Sequence, residues 1–323
     1  MSQLKPPAFF EGPEKKVELT VVDDHPSLRR LGEAFWHRVV NASGAEVVSK
    51  RSNDVFDAYL LSESSLFVYE SFVTMITCGR TQLVRGVDVM LEAIPDEAIA
   101  VLIYERKNEH FPHEQASSFF EDARHLAERL DGRALRFGVE HEHAVRLFHT
   151  TRGYQPVQED RTLEVLMHGI DERCAETFLA SRRPPSGTLA QQLGLRRALE
   201  GFEVDEFVFD PAGYSLNGMR DEAYVTLHVT PERVGSYVSF ETNAPELDHD
   251  PSGLVQEVVE RFRPESFDVV VFEPDDDPVS VDVPGYVLRK HVQEPVSGYH
   301  VTFQHFYRPS TRPVRAFSIP LSS

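Results

Sequence analysis

Cysteine is almost missing from this chain of 323 residues, where Cys78 and Cys174 are the only two. Two thiols cannot build a disulfide framework, so a reducing compartment such as the cytoplasm is the expectation. Long apolar runs are missing as well. The densest, AIAVLIY at 98–104, falls far short of the roughly 20 residues that a membrane-spanning helix needs. The opening MSQLKPPAFFEGPEKK has no apolar stretch of signal-peptide length, which again predicts a soluble intracellular protein. Basic residues are scarce beside acidic ones, 33 against 52, for a net charge of −19. That deficit argues against nucleic acid or an anionic membrane as partner, since both need clustered Lys and Arg. Solubility is its simplest meaning, although a cationic small ligand such as a diamine or a sulfonium would suit acidic surroundings. Low-complexity segments and clear short repeats are absent too.

The length allows one large domain or two ordinary ones. The best separator is SRRPPSGT at 181–188, dividing similar halves at about 1–180 and 189–323 within a single domain. Alternating or dense apolar residues predict strands at 17–22, 55–69, 72–77, 98–104, 204–209, 223–230, 235–241, 266–272 and 298–307. Leu28, Leu31, Phe35 and Val39 form a helical stripe between Pro26 and Gly44, and similar stripes run through 81–93, 114–130, 171–180 and 252–262. Strands in consecutive runs with helices between them predict an α+β fold with antiparallel sheets.

Within AYLLSESSLFVYESFVTMITCG at 58–79, the polar SESS interrupts a stretch that is apolar on both faces. A single strand covered on both sides is the expectation, and a hairpin is disfavoured because the stretch lacks the Gly, Asn, Asp and Pro of tight turns. Buried hydroxyls and a carboxylate cost free energy unless partnered. Ser64 follows Glu63, and a serine hydroxyl held against its own preceding carbonyl can convert that amide to an ester. Elimination then leaves dehydroalanine, and hydrolysis gives a pyruvoyl group, whose carbonyl forms a Schiff base and accepts the electrons left by departing carbon dioxide. A Glu-Ser pair alone is far too common to carry this.

Five segments in order make it specific. FFEGPEKKVEL, YLLSESSLFVYESFVTMITCG, DRTLEVLM, FDPAGYSLNGM and HVTPERVGSYVSFETN together resemble the signature of eukaryotic-type S-adenosylmethionine decarboxylase, from about residue 9 to about 245. The resemblance implies a four-layer α/β/β/α sandwich of two antiparallel sheets flanked by helices. It implies self-cleavage between Glu63 and Ser64 into chains 1–63 and 64–323, with Ser64 becoming the pyruvoyl cofactor. Ser215 would hold the attacked carbonyl and His228 would remove the α proton; read alone, they are a turn serine and a strand histidine. Cys78 would return a proton to the substrate, its thiol pKa being close enough to neutrality to give and recover one. Glu11, with Glu14 next in the motif, would lie near the substrate's amino acid end. Phe10 and Phe209 would sandwich adenine, Glu232 would accept from the ribose hydroxyls, and the Leu61 backbone would lie beside the nucleoside. Glu18, Asp160, Thr162, Glu164 and Glu241 match the site where some members bind putrescine as an activator. Distant carboxylates converging in a core need a cation or protonation, and Lys16, Arg161 or a later Arg could replace the diamine. A homodimer is a further possibility that the sequence leaves open.

His141, His143 and His149 lie close together in HEHAVRLFH, but match no zinc pattern with a second half, so no metal is expected. Two alternatives remain: a pyruvoyl decarboxylase acting on ornithine or arginine, and an inactive regulatory homologue. Phe10, Phe209 and Glu232 argue against the first, and Ser64, His228 and Cys78 together against the second.

Overall fold

The computed structural model describes residues 10–138, 143–157, 160–179, 181, 188–232, 235–244, 250–274 and 279–310. Two antiparallel eight-stranded sheets dominate it. The first comprises β1 (Lys15–Val21), β2 (Val47–Ser52), β3 (Asp57–Leu61), β4 (Ser64–Val68), β5 (Phe72–Thr77), β6 (Ile99–Lys107), β7 (Gly132–Gly138) and β8 (Ala144–Thr150). The second comprises β9 (Thr162–His168), β10 (Glu203–Val208), β11 (Tyr214–Arg220), β12 (Ala223–Thr230), β13 (Tyr237–Thr242), β14 (Ser266–Glu273), β15 (Val287–Val296) and β16 (Tyr299–Tyr307). Strand order is β2-β3-β4-β5-β1-β6-β8-β7 in one and β10-β11-β12-β13-β9-β14-β16-β15 in the other. Adding eight to each strand number of the first gives the second. The second sheet takes its first strand from upstream of 181–188, most of which lies outside the described residues.

Period-two alternation makes the layers. On β1, Val17, Leu19 and Val21 face outward into the core shared with α1 (Glu33–Ala42) and α2 (Leu83–Ala93), where Trp36, Val39, Val87 and Met90 are almost wholly buried. Lys16 and Glu18 alternate with them and face the other sheet. The second sheet is covered in the same way by α6 (Ser252–Phe262), through Leu254, Val255, Val258, Val259 and Phe262. Helices outside and sheets face to face form the four layers that the resemblance implied.

Between the sheets lie two apolar clusters. One joins Val101, Ile103 and Leu147 to Val270, Phe272 and Phe303, and the other joins Phe56, Ala58 and Phe67 to Met219 and Tyr224. Along the strand order, a belt of buried polar and charged side chains separates them. No helix among the described residues is long and apolar enough to cross a membrane.

The expected continuous strand over 55–69 is instead a hairpin. Leu61 pairs with Ser64, leaving Ser62–Glu63 as a two-residue turn. The chain turns without glycine because Ser64 takes a φ of +135°. Ser62 is tied down, its N–H donating to Glu46 O at 2.8 Å and its Oγ accepting from Glu46 N–H at 2.9 Å.

Candidate active site

The hairpin turn presents a strained bond to a tethered carbonyl. A φ of +135° is glycine territory, and holding a serine there costs on the order of 1–3 kcal/mol. Ser64 is 1% exposed, yet among the described residues its Oγ has no hydrogen-bond partner, and neither has Glu63 Oε2. Buried polar atoms are mostly paired, and these two flank the same peptide bond. The Glu63 carbonyl is held: it accepts from the Cys78 N–H at 2.9 Å and from the Cys78 thiol at 3.3 Å. Cys78 reaches it because Ser64 pairs with Thr77 on the neighbouring strand β5.

Ser215, expected on that carbonyl, binds elsewhere. Its Oγ lies 2.8 Å from His228 Nδ1, since the two residues are register partners on β11 and β12. His228 Nε2 lies 2.7 Å from Thr226 Oγ1 and 3.0 Å from Ser65 Oγ. Asn217 completes the group, with its Oδ1 2.5 Å from Ser65 Oγ and its amide donating to Tyr59 O at 3.1 Å. This cluster fastens β4 to the opposite sheet and fixes the imidazole. Burial pushes the His228 pKa down to about 3, so the ring is neutral.

Burial, Glu63 and Glu14 push the Cys78 thiol well above its ordinary value. That corrects the expectation of a near-neutral thiol: the proton stays on sulfur, which suits donation rather than nucleophilic attack. Lys15 stands nearby, donating to Gly79 O at 3.1 Å, its own pKa lowered to about 8 by burial and Arg106.

Residues 10–14 run along both sheets. Gly12 permits this, since a Cβ there would fall 2.7 Å from that of Tyr237. Glu11 is 4% exposed and accepts from the N–H groups of His110 and Phe111, both at 2.8 Å. Burial raises its pKa against those two hydrogen bonds. Glu14 accepts from Ser239 Oγ at 2.6 Å and is pushed up to about 8 by burial. Phe10 N–H donates to Glu232 at 3.3 Å, so these two proposed nucleoside contacts do meet. The Phe10 ring overlies Gly79, where an added Cβ would come within 3.2 Å of it and 3.0 Å of Glu63 Oε2. Phe209 packs edge-on against Phe207, centroids 4.9 Å apart, rather than against Phe10. The Leu61 side chain is fully buried, leaving its backbone beside Ser64.

The acidic constellation is brought together in the belt, and it contains lysines. Glu164 and Glu241 are direct cross-strand neighbours, and Lys16 bridges them at 2.9 and 3.0 Å. Lys107 lies 2.9 Å from Glu164 and 3.2 Å from Glu105. The two cations hold the Glu164 pKa down at about 2, whereas burial pushes Glu18 up to about 8 and Glu105 to about 7. Asp160 accepts from Tyr299 at 2.5 Å and Tyr154 at 3.3 Å, and its pKa is raised chiefly by burial. Thr162 is buried on β9, and Arg161 lies 3.6 Å from Glu273.

Sequence reasoning missed Ser65, Asn217, Thr226, Glu105 and Lys107. Period-two alternation carried three residues past 104 would have placed Glu105 and Lys107 inward with Val101 and Ile103. Of the three histidines considered for metal, His141 lies outside the described residues, and His149 is a packed strand residue bonded to Thr150 O at 3.0 Å and Ser297 Oγ at 2.7 Å. No group able to hold a metal ion occurs among the described residues. Both cysteines are free.

Comparison with known proteins matches residues 7–307 to the adenosylmethionine decarboxylase family model. An S-adenosylmethionine decarboxylase proenzyme of Dictyostelium discoideum is 31% identical over 92% of this chain and 85% of its own. The proenzyme of Trypanosoma cruzi is 34% identical over 84% of this chain and 77% of its own. A solved Trypanosoma brucei AdoMetDC-delta26 monomer superimposes with a TM-score of 0.59 at 24% identity, over 76% of this chain and 99% of that one, and shares the fold.

Proposed function

Because the chain belongs to the adenosylmethionine decarboxylase family, we infer that it decarboxylates S-adenosylmethionine to the aminopropyl donor of spermidine and spermine synthesis, after cutting itself between Glu63 and Ser64. The observation that carries this reading is the Glu63 carbonyl held by Cys78 beside a strained, unpartnered Ser64 hydroxyl. Ser64 Oγ adds to that carbonyl carbon, and the Cys78 N–H and thiol stabilise the charge that gathers on oxygen. The C–N bond breaks, leaving an ester and a free α-amine and relieving the backbone strain. His228, held by Ser215, Thr226 and Ser65, takes the Ser64 α proton, and the Glu63 carboxylate departs. Hydrolysis of the resulting dehydroalanine releases ammonia and leaves chains 1–63 and 64–323, the larger blocked by a pyruvoyl group.

That group supplies an electron sink for the loss of carbon dioxide. Around it, the protonated Cys78 thiol returns a proton to the substrate carbon, and Glu11 faces the amino acid end. Phe10 and Phe209 flank the adenine, Glu232 accepts from the ribose, and the Leu61 backbone borders the nucleoside. Lys16 and Lys107 already occupy the acidic belt, so the chain works without putrescine: a diamine would have to displace two ion-paired lysines.

Release of labelled carbon dioxide from carboxyl-labelled S-adenosylmethionine, ornithine and arginine tests the reading. Release from S-adenosylmethionine alone, unchanged by added putrescine, is expected. Release from ornithine or arginine instead, or from none of the three, overturns it.

A further inference from the structure

Away from the cleavage site, where β6 and β16 end and β8 and β14 begin, a cleft of about 800 Å³ opens between the sheets. Among the described residues, Arg106, Arg146, Arg289, His110, His143 and His305 line it with one carboxylate, Glu109. In a chain of net charge −19, that gathering of guanidinium and imidazole groups is unexpected. Arg106 is neutralised within the fold, at 2.7 Å from Asp122 and 2.5 Å from Glu109. Arg146 meets no carboxylate among the described residues, its partner there being the neutral amide of Asn108. His143 makes no hydrogen bond among the described residues and stacks on His168 at 3.6 Å, while Asp268 holds His305 Nδ1 at 2.6 Å. Two aromatic side chains stand at the rim, Phe120 at 61% and Tyr307 at 38% exposure.

We propose that this cleft is a binding site for a small phosphate ester with a flat ring, the phosphate taken by Arg146 and the imidazoles and the ring by Phe120 and Tyr307. A guanidinium fork matches phosphate geometry. Among the described residues the groups facing His143 are His168, Asp268, His305 and His110, and burial with this crowding of imidazoles pushes it down to about 3. A dianion in the cleft reverses that balance by drawing protons onto the rings, which a neutral or cationic ligand cannot do. The site also communicates with the proposed active site. Asn108, Glu109 and His110 line the cleft, and the N–H groups of His110 and Phe111 hold the Glu11 carboxylate. Occupancy therefore shifts the KM for S-adenosylmethionine, a consequence that rests on the reading of Glu11 as a substrate contact.

Calorimetric titration of the purified full-length protein with inorganic phosphate and with phenyl phosphate tests the site without turnover, so its failure is distinct from failure of the decarboxylase reading. One saturable site is expected, tighter for phenyl phosphate, with Phe120→Ala removing the difference between the probes. Arg146→Gln and Ser266→Asp should each weaken binding at least tenfold, the second by adding a like charge without removing a fold contact, with thermal unfolding as the check on folding. Absence of saturable binding for both probes, or undiminished binding in a folded Ser266→Asp variant, overturns the proposal.

Discussion

The hairpins β3–β4 and β11–β12 hold equivalent places in their sheets, and each closes on a two-residue turn, Ser62–Glu63 in one and Asp221–Glu222 in the other. Both need a residue at positive φ. In the second it is Asp221, at +51° in an exposed turn, a conformation that aspartate tolerates at little cost. In the first it is Ser64, at +135° and buried. The two hairpins face each other, the relaxed one placing Ser215 and His228 opposite the strained one. In the proposed mechanism one topology serves both as the substrate of processing and as the machinery that assists it, the difference being where the turn strain is placed.

The largest predicted effect separates the two turns outright. Ser64→Ala leaves one uncut chain without decarboxylase activity, whereas Asp221→Ala cuts and works normally; intact mass and carbon dioxide release read both. Next, His228→Ala slows elimination by about 10²–10⁴-fold, the ordinary worth of a positioned base, and accumulates an ester that hydroxylamine cleaves. Removing a belt cation comes third. Lys16→Met strands the neighbouring carboxylates Glu164 and Glu241 and costs about 3–5 kcal/mol in denaturant unfolding, part of which putrescine restores. The wild-type protein shows no such response. Smaller still is the strain itself: Ser64→Gly is more stable than Ser64→Ala by about 1 kcal/mol, although neither is cut, and Asp221→Gly gains less than half of that.

The last prediction concerns the pH dependence of stability. Glu14 and Glu18, raised to about 8, and Glu105, raised to about 7, bind protons more tightly folded than unfolded. Their contribution is full below the ordinary value of 4.5 and is lost as pH rises through 7 to 8. His110, lowered to about 4, and His143 and His228, lowered to about 3, act in the opposite sense, so their part of the stability grows as pH rises from there towards 6.5. The two sets oppose each other between 4.5 and 6.5, and above 6.5 only the carboxylates still lose protons, so unfolding free energy should decline from pH 6.5 to 8. A steady rise from pH 6.5 to 8 would contradict these shifts.

The sequence exposed most of the apolar strands and the helices α2 and α6, because burial on one or two faces leaves a periodic signal, but the interior strands β8 and β9 went unpredicted. It hid β2, β7 and β15, whose edge positions let polar and charged residues sit in strands, as in VLRKHVQEPV. β11 was hidden for a different reason: its serine, asparagine and glycine serve the site and contradict strand propensity. The hairpin at SESS was misread because a serine holds the conformation that a turn normally gives to glycine. Several residues named from the ordered motifs, such as Ser215 with His228 and Phe10 with Glu232, do meet in the fold. Those that matter through register, such as Thr226 and Lys107, emerge only once the opposing strand is in place.

The central claim is that Glu63–Ser64 breaks itself and leaves a ketone at Ser64. Intact mass of freshly purified protein, before and after borohydride treatment, tests it most directly. Two chains, 1–63 and 64–323, the larger lacking a free amine and gaining two mass units on reduction, are the predicted result; a single uncut chain unchanged by borohydride would contradict it.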